Sequence, residues 1–198
     1  MSTWFSSDLH IFHDNIIEYE DRPFGSVEEM NEGIIERWNS KIKRSRQHVY
    51  ILGDVSFKGK DELLVPLLDK MNGVKHLILG NHDMRYNKEV LDCFESVQLY
   101  KRIKLDKRRI VLFHYPIRSW HGKSKGALHL YGHIHKTKEV PLQELNALNV
   151  GVDIHNYYPI SYEEVIEKLK VHNQELVTRH ERYSMPYTYT YNIKGIIL

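Results

Sequence analysis

The sequence predicts an α/β fold, and three observations predict it. Short apolar, β-branched runs recur along the chain, and each ends in a polar cluster. Segments with helical spacing lie between them. The chain has 198 residues with 41% hydrophobic content, enough for a single domain over 1–198 with a substantial core.

In chain order, Thr3-Trp4-Phe5 reads as the first strand and ends before Asp8. Ser26-Val27-Glu28-Glu29 is a capping-box start, followed at helical spacing by Met30, Ile34, Ile35 and Trp38. Val49 to Leu52 is a strand before Gly53-Asp54. Asp61 caps a helix carrying Leu63, Leu64, Leu67 and Leu68, with Pro66 the one residue against it. His76 to Leu79 is a strand before Gly80-Asn81-His82-Asp83, and Ile110 to Phe113 another before His114. Leu128 to Tyr131 precedes Gly132-His133-Ile134-His135, and Leu148-Asn149-Val150 precedes Gly151-Val152-Asp153. Ser161-Tyr162-Glu163-Glu164 opens a last helix with Val165, Ile166 and Leu169. Residues 172–198 form a Tyr-rich C-terminal extension. There Tyr183, Tyr187, Tyr189 and Tyr191 include an alternating run that reads as a strand with one aromatic face, suited to a sheet edge or a homodimer contact.

Composition narrows the function classes. A formal charge of +2 supplies no global basic field, so nucleic-acid binding cannot be inferred from charge alone. Cys93 is the only cysteine, which excludes an intramolecular disulfide and a cysteine-rich zinc site; it reads as a small buried apolar residue. No apolar run approaches the roughly 20 residues that span a bilayer, and no leader pattern precedes Asp8, so a cytoplasmic protein without membrane partners is expected. The compositional oddity is 13 histidines.

Their placement carries the functional signal. Asp8 and His10, two apart, follow the first strand; Asp54, Asn81, His82, His114, His133 and His135 follow others. Five consecutive strands thus deliver oxygen or imidazole ligands at one end, as in α/β folds whose ligands gather where strands end. Carboxylate and amide oxygens mixed with imidazoles, without thiolate, suit Mn²⁺ first, then Fe or Zn²⁺, with Ni and Co as further options, and do not suit a calcium cage. Seven ligand candidates (Asp8, His10, Asp54, Asn81, His114, His133 and His135) are too many for one ion and enough for two, if one carboxylate bridges. Gly53, Gly80 and Gly132 each immediately precede a ligand, where a missing Cβ lets the chain turn out of its strand.

Together, Asp8-Leu9-His10, Gly53-Asp54, Gly80-Asn81-His82-Asp83, His114 and Gly132-His133-Ile134-His135 resemble the calcineurin-like metallophosphoesterases in motif order and spacing. The resemblance implies a four-layer αββα sandwich, two mixed sheets flanked by helices, with a dinuclear centre at the strand ends. It implies Asp8, His10 and His135 on one metal, Asn81, His114 and His133 on the other, and Asp54 between them. His82 is similar to the family histidine that acts on the substrate as general acid, with Asp83 placed to orient its ring. Two divalent cations against two ligand carboxylates and a bridging hydroxide leave a net charge of about +1, which attracts a phosphate ester and favours attack by that hydroxide.

Around this set, His13 is a candidate for the mouth of the site, while Asp14 or Asn15 reads as a helix cap. Arg118 is a candidate to grip a phosphate, Trp120 to stack on a base, and Arg22 to form a wall beside the site. The run Lys101-Arg102, Lys104, Lys107-Arg108-Arg109 flanks a hairpin around Asp106 and reads as solvated surface. The expected activity is hydrolysis of a phosphodiester or small phosphomonoester, such as a nucleotide. A DNA or RNA nuclease is the alternative of the same chemistry, and a non-catalytic scaffold is disfavoured because every ligand is present. A purple-acid-phosphatase-like site would need a tyrosine that Val55-Ser56-Phe57 does not offer.

Overall fold

A computed structural model describes residues 2–57, 61–136, 144–182 and 197. Two mixed sheets pack face to face. The first has β1 (Thr3–Ser6), β2 (His48–Ile51), β3 (Val74–Ile78) and β4 (Ser96–Gln98) in parallel, with β9 (Ile160–Ser161) antiparallel on β1, in the order β4-β3-β2-β1-β9. The second has β5 (Tyr100–Leu105) antiparallel to β6 (Arg108–Phe113), then β7 (Leu128–Tyr131) and β8 (Ala147–Asn149) in parallel.

Alternation along the strands decides which face meets which layer. Phe5, Leu52 and Ile78 from the first sheet meet Ile110, Leu112, Leu128 and Leu130 from the second, and Ile197 joins them. The opposite face of the first sheet offers Val49, Ile51 and Leu77 to α2 (Val27–Lys41) and α3 (Asp61–Asp69) through Met30, Ile34, Trp38, Leu64 and Leu68. Each such side chain contributes about 1.5–3 kcal/mol on leaving water. α1 (Asp14–Tyr19) and α4 (Lys88–Leu91) add Ile16 and Val90 to that layer. α5 (Tyr162–Arg182) packs Val165 and Leu169 into the core between the sheets. Its start is a reciprocal capping box: Glu164 N–H donates to Ser161 Oγ at 3.1 Å, and Ser161 N–H to Glu164 Oε2 at 2.7 Å.

Four expectations need correction. The ligand-bearing strands are not consecutive, because β4 and β5 intervene between β3 and β6 as the chain crosses from one sheet to the other. Neither Asp14 nor Asn15 is a cap, since Asp14 is the first helical residue of α1 and His13 occupies the cap position without a side-chain cap bond. The C-terminal extension does not begin at 172, because α5 continues to Arg182; within it, Asn173 Nδ2 donates to Asn146 Oδ1 at 2.9 Å and to Ile197 O at 2.8 Å. Cys93 is only half-buried, not a core residue. The tyrosines at 183–191 lie outside the described residues. Among those described, no helix is long and apolar enough to cross a membrane.

Candidate metal centre

The two sheets are joined where their parallel strands end. Val152 N–H, after β8, donates to Ser7 O, after β1, at 3.0 Å; within each sheet the strand ends are tied by Ser7 Oγ–H on Leu52 O at 2.6 Å and by Gly132 N–H on His114 O at 2.8 Å. The loops leaving β1 and β2 stay paired beyond the strands, with Asp8 N–H on Gly53 O and His10 N–H on Asp54 O, both at 3.0 Å. Leaving the strand so abruptly forces unusual backbone. Asp8, His10, Asp54 and His133 all have φ between 51° and 70°. For a residue with a Cβ this left-handed region costs about 1–2 kcal/mol, and its concentration on four ligand candidates marks a site held for function rather than stability.

The glycines act in two ways. Gly53 does sit at φ +89°, as a sharp exit requires. Gly80 and Gly132 do not have positive φ; a Cβ at Gly80 would overlap Asp54 Oδ1, and one at Gly132 would overlap Ser7 Oγ and Asp8 Oδ2. They are there to let the carboxylates approach the backbone.

Two groups of ligand atoms form at this end. Asp8, His10 and His135 each bring an atom within 4.8 Å of the others, and so do Asp54, His114 and His133. Asn81 Oδ1 lies 3.1 Å from His114 Nε2, beside the second group. Asp54 Oδ2 faces both groups, 3.8 Å from His10 Nε2 and 3.5 Å from His114 Nε2, and it is 3.9 Å from His82 Nε2. The donor set fits divalent cations on an observation of the chain itself: His10 Nε2 is buried with no hydrogen-bond partner among the described residues, a costly state for a ring nitrogen unless something else satisfies it.

The ring orientations are fixed from behind. His114 Nδ1–H donates to Leu52 O at 2.7 Å, leaving Nε2 toward Asp54. His135 Nδ1–H donates to Asp153 Oδ2 at 2.7 Å. His13 Nδ1 lies 3.3 Å from His10 Nδ1 and its ring stacks on Phe57 at 4.1 Å, so His13 stands behind His10 rather than at the mouth. Burial works against a charged His114 ring, but its hydrogen bond to Asp54 and the charges of Asp8 and Asp54 prevail and raise it to about 9. Burial raises Asp8 to about 6, against the lowering effect of His114 and His135. Burial, followed by His135, Arg22 and nearby rings, lowers His10 well below its ordinary value.

Several assigned roles change. Asp83 does not orient the His82 ring. Its carboxylate accepts from the backbone N–H of Asp54 (2.7 Å), Gly80 (2.8 Å) and Val55 (3.0 Å), which locks the loops after β2 and β3 together. His82 stays beside the cluster, half-exposed, its N–H on Asp54 Oδ1 at 2.9 Å. Arg22 is no substrate wall: it is 4% exposed, and its five N–H groups go to Asp153, Leu9 O, Asp8 O and Met30 Sδ. Trp120 cannot stack on a base, because it is buried on the outer face of the second sheet with Nε1–H on Ala127 O at 2.9 Å. Arg118 is exposed on the loop after Tyr115 and joins none of these contacts. Asp153 was not among the candidates. Its signal was present as a sixth strand end, Gly151-Val152-Asp153, but nothing local pairs it with His135 and Arg22.

The comparisons agree with this geometry. The chain is 34% identical over 172 residues to the uncharacterized protein MJ1445 of Methanocaldococcus jannaschii, covering 83% of this chain and 91% of the relative. It is 28% identical over 182 residues to the gene 66 protein of mycobacterium phage L5, covering 77% and 86%. Among solved structures, a protein of unknown function from Aquifex aeolicus, AQ665, matches with a TM-score of 0.69 and 26% identity over 85% of this chain and 98% of its own. Residues 1–155 match the calcineurin-like phosphoesterase superfamily domain. With that match spanning most of the chain and both ligand groups, the protein belongs to the calcineurin-like phosphoesterase superfamily.

Proposed function

We propose that the chain is a dinuclear metal-dependent phosphoesterase that hydrolyses a phosphodiester or small phosphomonoester. The observation that carries this is Asp54, whose Oδ2 faces ligand nitrogens of both groups at 3.8 and 3.5 Å. Asp8, His10 and His135 would hold one divalent cation, Asn81, His114 and His133 the other, and Asp54 would serve both. When bound, such ions supply Lewis acidity and a water acidic enough to attack at neutral pH, with Mn²⁺ the first candidate for this oxygen and imidazole set.

The chain's own part is orientation and proton delivery. Asp153, Leu52 O and His13 hold the rings of His135, His114 and His10 so that each presents one nitrogen to the site. His82, half-exposed and fixed by its backbone bond to Asp54, can reach both solvent and the site; it donates the proton that the leaving oxygen needs. No side chain need form a covalent intermediate.

The test is Mn²⁺-dependent hydrolysis of bis(p-nitrophenyl) phosphate beside p-nitrophenyl phosphate. The expected result is diester turnover by the wild type and a loss of about 10²–10⁴-fold in His82→Ala, with Asp54→Asn also impaired. Undiminished turnover in both variants would overturn the assignment.

A further inference from the structure

The outer face of the β5–β6 hairpin has no role in the chemistry above, yet it leads directly to it. Register fixes what the face carries: Tyr100 stands opposite Phe113, Arg102 opposite Val111, and Lys104 opposite Arg109. Alternation leaves Tyr100, Arg102 and Lys104 exposed, while Ile103 and Leu105 pack toward the inter-sheet core. β6 runs straight into His114, so the Tyr100–Phe113 end of this face adjoins the metal centre.

From there the rings follow one another in contact. His133 lies 4.6 Å from Tyr115, Tyr115 5.6 Å from Phe113, and Phe113 6.3 Å from Tyr100, centroid to centroid. Tyr115 and Tyr100 are 36% and 40% exposed. Past Tyr100 the face becomes cationic. Lys104, Lys107, Arg108, Arg109 and Lys125 line a basin of about 430 Å³ in which, among the described residues, Asp106 is the one carboxylate. Arg102, Lys104, Lys107 and Arg109 form no ion pair with a described residue. From His114 to Arg109 is five residues, roughly 17 Å of strand.

Exposed rings in successive contact and cations without an ion-pair partner among the described residues, on one strip, match one class of ligand: an unpaired polynucleotide, whose bases offer π-faces and whose backbone carries regularly spaced charge. A duplex hides its base faces within its own stack. We propose that this strip is a binding track for single-stranded nucleic acid, with Tyr115 and Tyr100 stacking bases and Arg102, Lys104 and Arg109 contacting phosphates of a strand whose scissile bond lies at the metal centre. Cleavage of that strand rests on the phosphoesterase reading; its binding does not.

The test is fluorescence anisotropy with labelled 12-nucleotide oligothymidylate and oligouridylate, in EDTA so that nothing is cleaved, across a salt series. The wild type should bind, and the better of the two oligomers identifies the sugar. Tyr100→Ala should weaken binding about tenfold. The triple variant Arg102→Glu, Lys104→Glu, Arg109→Glu should lose most of it, with a salt slope shallower by about 2, as expected when three phosphate contacts to a single strand vanish. A control with the same charge change at exposed Lys43, Arg44 and Arg46 should bind like the wild type. Equal losses in the two triple variants, or binding of a matched duplex as tight as the single strand, would overturn the track. Failure of the phosphoesterase reading shows separately, as no turnover of the small diester by wild-type protein that still binds the oligomer.

Discussion

The two halves of the metal centre are braced by different means. Around Asp8, His10 and His135 the braces are side chains, two of which, Arg22 and Asp153, meet across 131 residues of sequence. Arg22 clamps Asp8 O, Leu9 O and Asp153, Asp153 holds His135, and His13 backs His10. Around Asp54, Asn81 and His114 the ties run to the main chain: His114 to Leu52 O, and Asp83 to three backbone N–H groups. The first half can therefore be loosened by substitution behind the ligands, whereas the ring of the second is held by a carbonyl that no substitution removes.

The largest expected effect comes from cutting the side-chain brace at its centre. Arg22 and Asp153 form an ion pair whose side chains are 0% and 2% exposed. Arg22→Met would leave Asp153 charged and buried without its partner, at a cost of about 3–5 kcal/mol. Chemical denaturation should show a lower midpoint with an unchanged slope; an unchanged midpoint would mean that the pair does not brace the fold.

Asp153→Asn takes the counter-charge from buried Arg22 and so lowers stability too, and it adds a local effect, because it weakens the acceptor that orients His135. Calorimetric titration with Mn²⁺ should show one of two sites weakened by about 10–100-fold and the other unaltered. Equal weakening of both would contradict the separate bracing of the halves.

The smallest effect is a proton count. Held at about 9, the His114 ring carries a proton at neutral pH that an ion must displace. Metal uptake at pH 7–8 should therefore release about one proton from this ring. The release should fade as pH rises through about 9 and disappear in His114→Gln. Measuring uptake heats in buffers of different ionisation enthalpy gives the number directly.

Legibility in the sequence follows the same division. Ligands that leave a strand within a few residues of its end, such as Asp8, His10, Asp54 and His114, are readable because an apolar run ending in a polar residue is a local signal, strengthened at Asp54 by the adjacent Gly53. The braces are not, because Arg22 and Asp153 are 131 residues apart in sequence and only the tertiary fold brings them together. Trp120 and Arg22 looked like substrate contacts because residue type records what a side chain can do, not which face it occupies. Asp83 looked like a partner for His82 because they are neighbours; in the fold, three buried N–H groups claim its carboxylate. The fold class was more legible than either, since six strand runs and three of the helices rest on periodicity. The short β4 and α4 offered too few residues for a pattern to show, and the crossing between sheets is set by long-range packing.

The central claim is that two ions sit on either side of Asp54. Anomalous diffraction from crystals grown with Mn²⁺, recorded above and below the manganese absorption edge, tests it most directly. The account predicts two peaks, one among Asp8, His10 and His135 and one among Asn81, His114 and His133, each within bonding distance of an Asp54 oxygen. A single peak, or two with Asp54 bound to neither or to only one, would contradict it.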